Sequence, residues 1–398
     1  MTKLKRITTI VLSGLLLAGT ALAQSGDKAK LPFELKMRVQ PRFEYGDLLI
    51  DKDGQFTTES DLYLRRVRLT GKKDFDNVPV GKKAWAEIVL QMDKLEMSFN
   101  KGVRQDPDYK VGISTAEAVW MFADEFSLWL GYDIPPIYRN TSSGKLLTFD
   151  WVSTLGFMDK SIGDKQVHMR LYGKAGKGVF KYWLGVGDGV SSLSKLKGAD
   201  GNASAVQKKQ WGGLYTARIE FAPPGWAESG WDDTAIPKEK YVALGAGYAL
   251  QNGVKYDTAS LTDTTYKADG YVFDLSGRLL FGGGALTGQA GYLNVNKDYG
   301  YKKESPNGYW VQAGYLIPGN ILKGQLEPVV KYEVMDYKTS GKSKTKEKTW
   351  TLGFNHYFSK HSLKWGYNLS LTDYEDHVRM ASKSGSRTLH QIQFQFDF

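Results

Sequence analysis

No cysteine occurs anywhere in the 398 residues, so neither disulfide staples nor thiol chemistry contributes. The five histidines, at 168, 356, 361, 377 and 390, follow no metal-ligand spacing, and nothing in the chain implies a metal or cofactor. Beyond the N-terminus, no stretch approaches the roughly 18 apolar residues of a membrane-crossing helix. Nucleotide and calcium loops are wanting too. "GVGDGV" (185–190) leads into no helix, and "DKDG" (51–54) lacks the later ligands and closing Glu of a calcium loop. What is plentiful is glycine and aromatic residues: 44 Gly, 23 Tyr, 18 Phe and 11 Trp, a balance typical of β-structure.

The two ends carry distinct signals. "MTKLKRITTIVLSGLLLAGTALAQS" sets Lys3, Lys5 and Arg6 before an apolar run and Ala21-Leu22-Ala23. That is the pattern of a cleaved secretory signal peptide, 1–23, leaving 24–398 as the mature chain. Three of the charges behind the formal +10 leave with it. The other end reads "HQIQFQFDF", with Ile392, Phe394, Phe396 and Phe398 on one parity and Gln391, Gln393, Gln395 and Asp397 on the other. A strand would turn these sets to opposite faces.

Alternation of this kind recurs along the chain. Amphipathic segments of period two fall at 34–45, 62–75, 83–97, 115–122, 126–134, 165–173, 179–187, 211–221, 241–251, 270–281, 285–295, 308–317, 325–338, 347–358, 362–375 and 387–398, about 16 strands. Short connections such as "ADE" (123–125) and "GGG" (282–284) alternate with long polar ones such as 135–164 and 188–210. Tight turns at one end and long loops at the other describe a transmembrane antiparallel β-barrel. In lipid such a sheet must close on itself, so the last strand meets the first. The connection 222–240 falls on the short-turn side and is too long for it.

Charge sets the phase of the strands. In "ELKMRVQPRFEY", Lys36, Arg38 and Arg42 oppose Leu35, Met37, Val39 and Phe43. Turning them to lipid would cost about 2–4 kcal/mol each near the midplane, so they line the lumen. In "DLYLRRVRL" the same logic turns Arg66 and Arg68 inward and leaves Arg65 on the apolar face, snorkelling or at a subunit contact. Arg170 and Arg218 also fall on wet parities. Pro41 and Pro328 interrupt two strands, and each is expected to mark a bulge.

"LYLRRVRL", followed by "FSLWLGYDIPPIYRNTSS" with its Gly131-x-x-x-x-Pro136 step, is similar to the phosphate-selective porins of the O and P type. The leader, the strand count and the terminal phenylalanine agree over the whole mature chain. The resemblance implies a homotrimeric channel in the outer membrane of a Gram-negative bacterium, passing small anions such as phosphate. It implies that loop 135–164, with Tyr138, Arg139, Lys145 and Lys160, folds inward as a constriction. It also implies that Phe398 addresses the chain to the barrel-assembly machinery. The expected pore-lining contacts for anions are therefore Lys36, Arg38, Arg42, Arg66, Arg68, Arg139, Lys145, Arg170 and Arg218. One departure stands out: the step reads Tyr132-Asp133-Ile134-Pro135, where family members commonly carry a basic residue. That favours broad anion passage over tight phosphate selectivity.

Other readings remain open from sequence. One is a general or differently selective diffusion pore. A second is a barrel enzyme built around His377 with Asp373 and Asp376, and a third is a plugged adhesin or structural barrel.

Overall fold

The computed structural model describes residues 33–50, 55–94, 99–100, 103–104, 109–139, 147–150, 153–155, 165–189, 207–210, 212–226, 236, 239–257, 264–300, 302–337, 345–376 and 385–398. The leader read at 1–23, the "DKDG" turn, Lys145, Lys160 and His377 lie outside them. By internal contacts the chain divides into Met1–Glu34 and Leu35–Phe398.

The second unit is a closed barrel of sixteen strands. They are β1 Glu34–Ile50, β2 Phe56–Phe75, β3 Lys83–Lys94, β4 Tyr109–Ala123, β5 Phe126–Asp133, β6 Gln166–Ala175, β7 Phe180–Gly187, β8 Leu214–Phe221, β9 Tyr241–Asp257, β10 Thr264–Phe281, β11 Gly284–Asp298, β12 Asn307–Leu316, β13 Gln325–Tyr337, β14 Thr345–Ser359, β15 Leu363–Glu375 and β16 Gly385–Asp397. Two short pieces, Gln207–Gln210 and Lys303–Glu304, pair with the outer ends of β9 and β11. Each strand pairs with the next, and β1 closes on β16 with Val39 opposite Phe396 and Phe43 opposite Ile392. Closure extends to the last residue: Phe398 N–H donates to Met37 O at 2.8 Å, and Met37 N–H donates to Phe398 O at 3.0 Å.

The two parities separate as the sequence reading expected. On β1, Leu35, Phe43 and Tyr45 are exposed on the outside, and Gln40, Arg42 and Glu44 are buried inside. On β16, Gln391, Gln393 and Gln395 are buried and Phe394 is exposed. A belt of outward Leu, Ile, Val, Phe and Tyr thus meets lipid while hydrogen-bonding side chains fill the interior. Gly282-Gly283, both at positive φ (56° and 74°), joins β10 to β11 in a two-residue turn.

Three expectations need correction. The register between β1 and β16 runs unchanged through Pro41, and that between β13 and β14 runs unchanged through Pro328. At Pro328, which has no N–H to donate, the β12–β13 ladder stops at Gly314 opposite Val329. Arg65 is not on the apolar face. Its charge acts on Asp150 inside the barrel, and neighbouring Tyr63 hydrogen-bonds Glu44. Further along, Arg66, Arg68 and Lys72 stand opposite Asp93, Gln91 and Glu87 on that same inner side. The alternation therefore slips by one residue between Arg65 and Arg66, and both arginines escape the lipid cost.

The long 222–240 connection also has an explanation. Ile236 is buried against the inward residues Ala285, Leu316 and Tyr357 of β11, β12 and β14. Its carbonyl lies 3.2 Å from His361 Nε2, and the Glu239 carbonyl accepts from Arg278 Nη1 at 3.4 Å. Ile236 thus meets strands β11, β12 and β14, none of which adjoins β8.

Candidate functional site: the lumen and its inward loop

The loop after β5 folds into the barrel, and the wall is shaped to receive it. Ile137, Tyr138 and Leu155 join a buried cluster with Leu214, Ala249, Val272, Leu293 and Trp310 from the inner faces of β8 to β12. Each such burial is worth about 1.5–3 kcal/mol, enough in sum to hold an irregular segment against a sheet. The wall is small where the loop touches it. A Cβ on Gly247 would lie 1.7 Å from Ile137 O, one on Gly314 2.7 Å from Leu147, and one on Gly366 3.1 Å from Phe149. Polar ties complete the seam. Asn355 Nδ2 donates to Leu147 O at 2.8 Å, and Ser153 N–H donates to Glu333 at 2.7 Å.

Arg42 anchors the far side of the loop. Its guanidinium donates to Asp150 Oδ1 at 2.9 Å, to Phe149 O at 3.3 Å and to Gln393 Oε1 at 2.9 Å, and it reaches Glu44 at 3.4 Å. Gln391 donates to the other oxygen of Asp150 at 2.9 Å. Burial alone would raise the Asp150 carboxyl. The charge of Arg42, then that of Arg65, with hydrogen bonds from Gln391 and Arg42, holds it well below the usual carboxylate range.

The remaining arginines fall into two groups. Arg139 is buried in the seam, bonded to Ser276 Oγ and to Tyr241 Oη at 2.9 Å, with its charge over the Tyr241 ring. Arg218 is 1 % exposed and clamped by both oxygens of Asp274 at 2.6 and 2.9 Å. Arg170 pairs with Glu117 at 2.8 Å and lies 4.3 Å above Trp129. These three, like Arg42, face inward but spend their charge on protein groups. Arg38 sits at the turn end, held by Asp397 at 2.6 Å. Lys36 is exposed, while Arg66 and Arg68 are half-buried, with Arg68 donating to Gln91 at 2.8 Å.

Sequence reading missed the acids that take up three of these cations: Asp150, Asp274 and Glu117. Asp274 and Glu117 could have been found from parity, since both lie on inward positions of their strands. Asp150 could not, because it sits in a loop without a period. Among the described residues, the loop contacts strands from β8 to β14, β1, β15 and β16, and the charge of Arg65 on β2 also reaches it at Asp150.

Residues 35–398 match the family described as "Phosphate-selective porin O and P". An uncharacterized protein of Aquifex aeolicus (strain VF5) is 34 % identical over 375 residues, covering 92 % of this chain and 87 % of the relative. Among solved structures, an anion-selective porin from Comamonas acidovorans superposes with a TM-score of 0.57 at 16 % identity, over 92 % of this chain and 99 % of that one. OprB of Pseudomonas putida gives a TM-score of 0.62 at 10 % identity, over 94 % and 96 %. At these identities the two structures share the fold alone. A closed sixteen-strand barrel narrowed by its own loop, matched along nearly its whole length, is an outer-membrane channel, and the chain belongs to the phosphate-selective porin O and P family.

Proposed function

We propose that the channel passes small anions, inorganic phosphate among them, by diffusion without an energy source. One observation carries this reading: adjacent strands β1 and β2 present Arg38, Arg42, Arg65, Arg66, Arg68 and Lys72 toward the interior. A run of fixed cations beside a narrow, low-dielectric passage raises the local anion concentration and repels cations. Arginine suits the task because its fork matches phosphate and carboxylate oxygens. Much of this charge is already matched by Asp150, Glu44, Asp93 and Asp397. The surplus then gives weak sites in series and broad anion preference in place of one tight phosphate site.

On this reading the protein sits in the outer membrane of a Gram-negative bacterium as a homotrimer in contact with lipid. It arrives there through its leader and the barrel-assembly machinery, with Phe398 as part of the address. The test is the reversal potential of the reconstituted channel across a potassium chloride gradient. Chloride should permeate better than potassium, and a reversal potential of the opposite sign overturns the proposal.

A further inference from the structure

The lumen carries two apolar surfaces, and the described part of the loop packs on one of them. The second is an arc of rings near the turn end of β3 to β7. Trp85, Trp129, Tyr172 and Trp183 all occupy inward positions: Trp85 and Trp129 both stand opposite Val119, and Tyr172 stands opposite Trp183. Trp85 meets Trp129 edge to face at 5.6 Å, Trp129 meets Tyr172 at 6.3 Å, and Tyr172 lies 5.1 Å from Trp183. Trp183 is buried, but Trp85, Trp129 and Tyr172 keep part of their surface open. Inward positions of a water-filled barrel are ordinarily polar, so rings left open to the passage ask for a ligand.

Cations are placed among these rings. Lys72 and Lys83 lie 5.5 and 5.7 Å from the Trp85 ring, and both reach the single carboxylate of Asp74, at 3.4 and 3.3 Å. Lys72 also stands opposite Glu87, on which Lys36 acts as well, so three ammonium groups share the carboxylates of Asp74 and Glu87 beside an open indole. The Arg170 charge over Trp129 is, by contrast, matched by Glu117. The Trp85 end thus offers an aromatic surface and a lysine-rich cluster side by side.

We propose that this arc binds small organic acids bearing a flat aromatic ring, with the ring against Trp85 and Trp129 and the carboxylate at Lys72 and Lys83. Ring contact and charge attraction act together, and each is weak enough to let the solute leave again. The inference rests on the anion-channel reading and narrows its solute class. An inorganic anion would use only the lysines; an aromatic acid would use the rings as well.

The experiment is block of chloride current through single reconstituted channels by benzoate, with acetate as the ring-free control. Benzoate should reach half-block at a concentration about fivefold below that of acetate. Trp85→Leu with Trp129→Leu should erase that ratio, and Trp85→Phe with Trp129→Phe should restore it. If the leucine pair fails to assemble, Lys83→Gln at the exposed turn end is the second variant, and it should weaken benzoate and acetate block together. Equal block by benzoate and acetate in the wild type, or a ratio that survives the leucine pair, overturns the proposal. The reversal potential in potassium chloride alone is read on the same membranes. A chloride-preferring channel without the benzoate advantage refutes the aromatic site only, whereas a potassium-preferring one refutes the anion reading and this site with it.

Discussion

The carbonyl oxygen of Ile137 fills the space that a side chain on Gly247 would need, 1.7 Å from where its Cβ would stand. Loop and wall are fitted at this point backbone to backbone, and nothing flexible can give way. Gly247→Val should therefore lift the loop from β9 at a cost of about 1–3 kcal/mol while the strand ladder stays paired. Single-channel conductance and thermal unfolding of the reconstituted protein are the measurements. Unchanged values in both would mean that the loop does not lie where it is placed.

Asp150 ties the middle of the loop to β1 and β16, and its contribution has a defined pH range. A carboxyl held below its unfolded value stabilises fully above the unfolded pKa and loses that contribution as pH falls through the lowered folded value. The difference in melting temperature between wild type and Asp150→Asn should thus persist down to about pH 4 and close only in stronger acid. A difference that closes near neutral pH would contradict the Arg42–Asp150 arrangement.

Arg218 and Asp274 form a buried, two-pronged pair, with side-chain exposures of 0 % and 2 %. Arg218→Met strands the carboxylate and should cost about 3–5 kcal/mol in urea unfolding, and adding Asp274→Leu should return most of it. Selectivity should change little, because neither group meets the passage.

Arg66 and Arg68 lie on the inner side of β2, opposite Asp93 and Gln91. Replacing both with alanine should lower chloride preference over potassium in bi-ionic reversal potentials without preventing barrel assembly. Loss of assembly with selectivity intact in refolded protein would reverse the assigned phase of β2.

Phe398 combines an exposed ring with two backbone bonds to Met37. Deleting it removes the ring and both bonds, whereas Phe398→Ala removes only the ring. Both variants should reduce heat-modifiable barrel in the outer-membrane fraction, the deletion more so. Wild-type levels of the alanine variant would show that the ring is not part of the assembly signal.

How far the sequence foretold these features depends on what each residue faces. Strand number and phase were legible because lipid imposes a two-residue period, as in Leu35, Phe43 and Tyr45 against Gln40 and Arg42. The outer ends were not. The strand read to 251 continues to Asp257 past a register shift between Gln251 and Val254, and the one read from 270 begins at Thr264. This is because the apolar residues there, Val254, Tyr266 and Ala268, pack into the buried inner cluster, whereas Phe273 and Leu275 further along face outward. Arg65 misled for a related reason: a one-residue slip keeps two neighbouring arginines on one side, which strict parity forbids. The fate of Arg42 was illegible in principle, since its partner Asp150 lies 108 residues away in a loop.

Ile236 adds a constraint of a different kind, on the order of events. Its seat is made by Ala285, Leu316 and Tyr357, all of which follow it in the chain. The connection after β8 cannot dock when its own hairpin forms; it must wait until β11, β12 and β14 stand in the sheet. Hairpin-by-hairpin growth therefore leaves Ile236 without its seat until β14 has joined the sheet, and its docking acts as a late check that strands far apart in sequence have found their places.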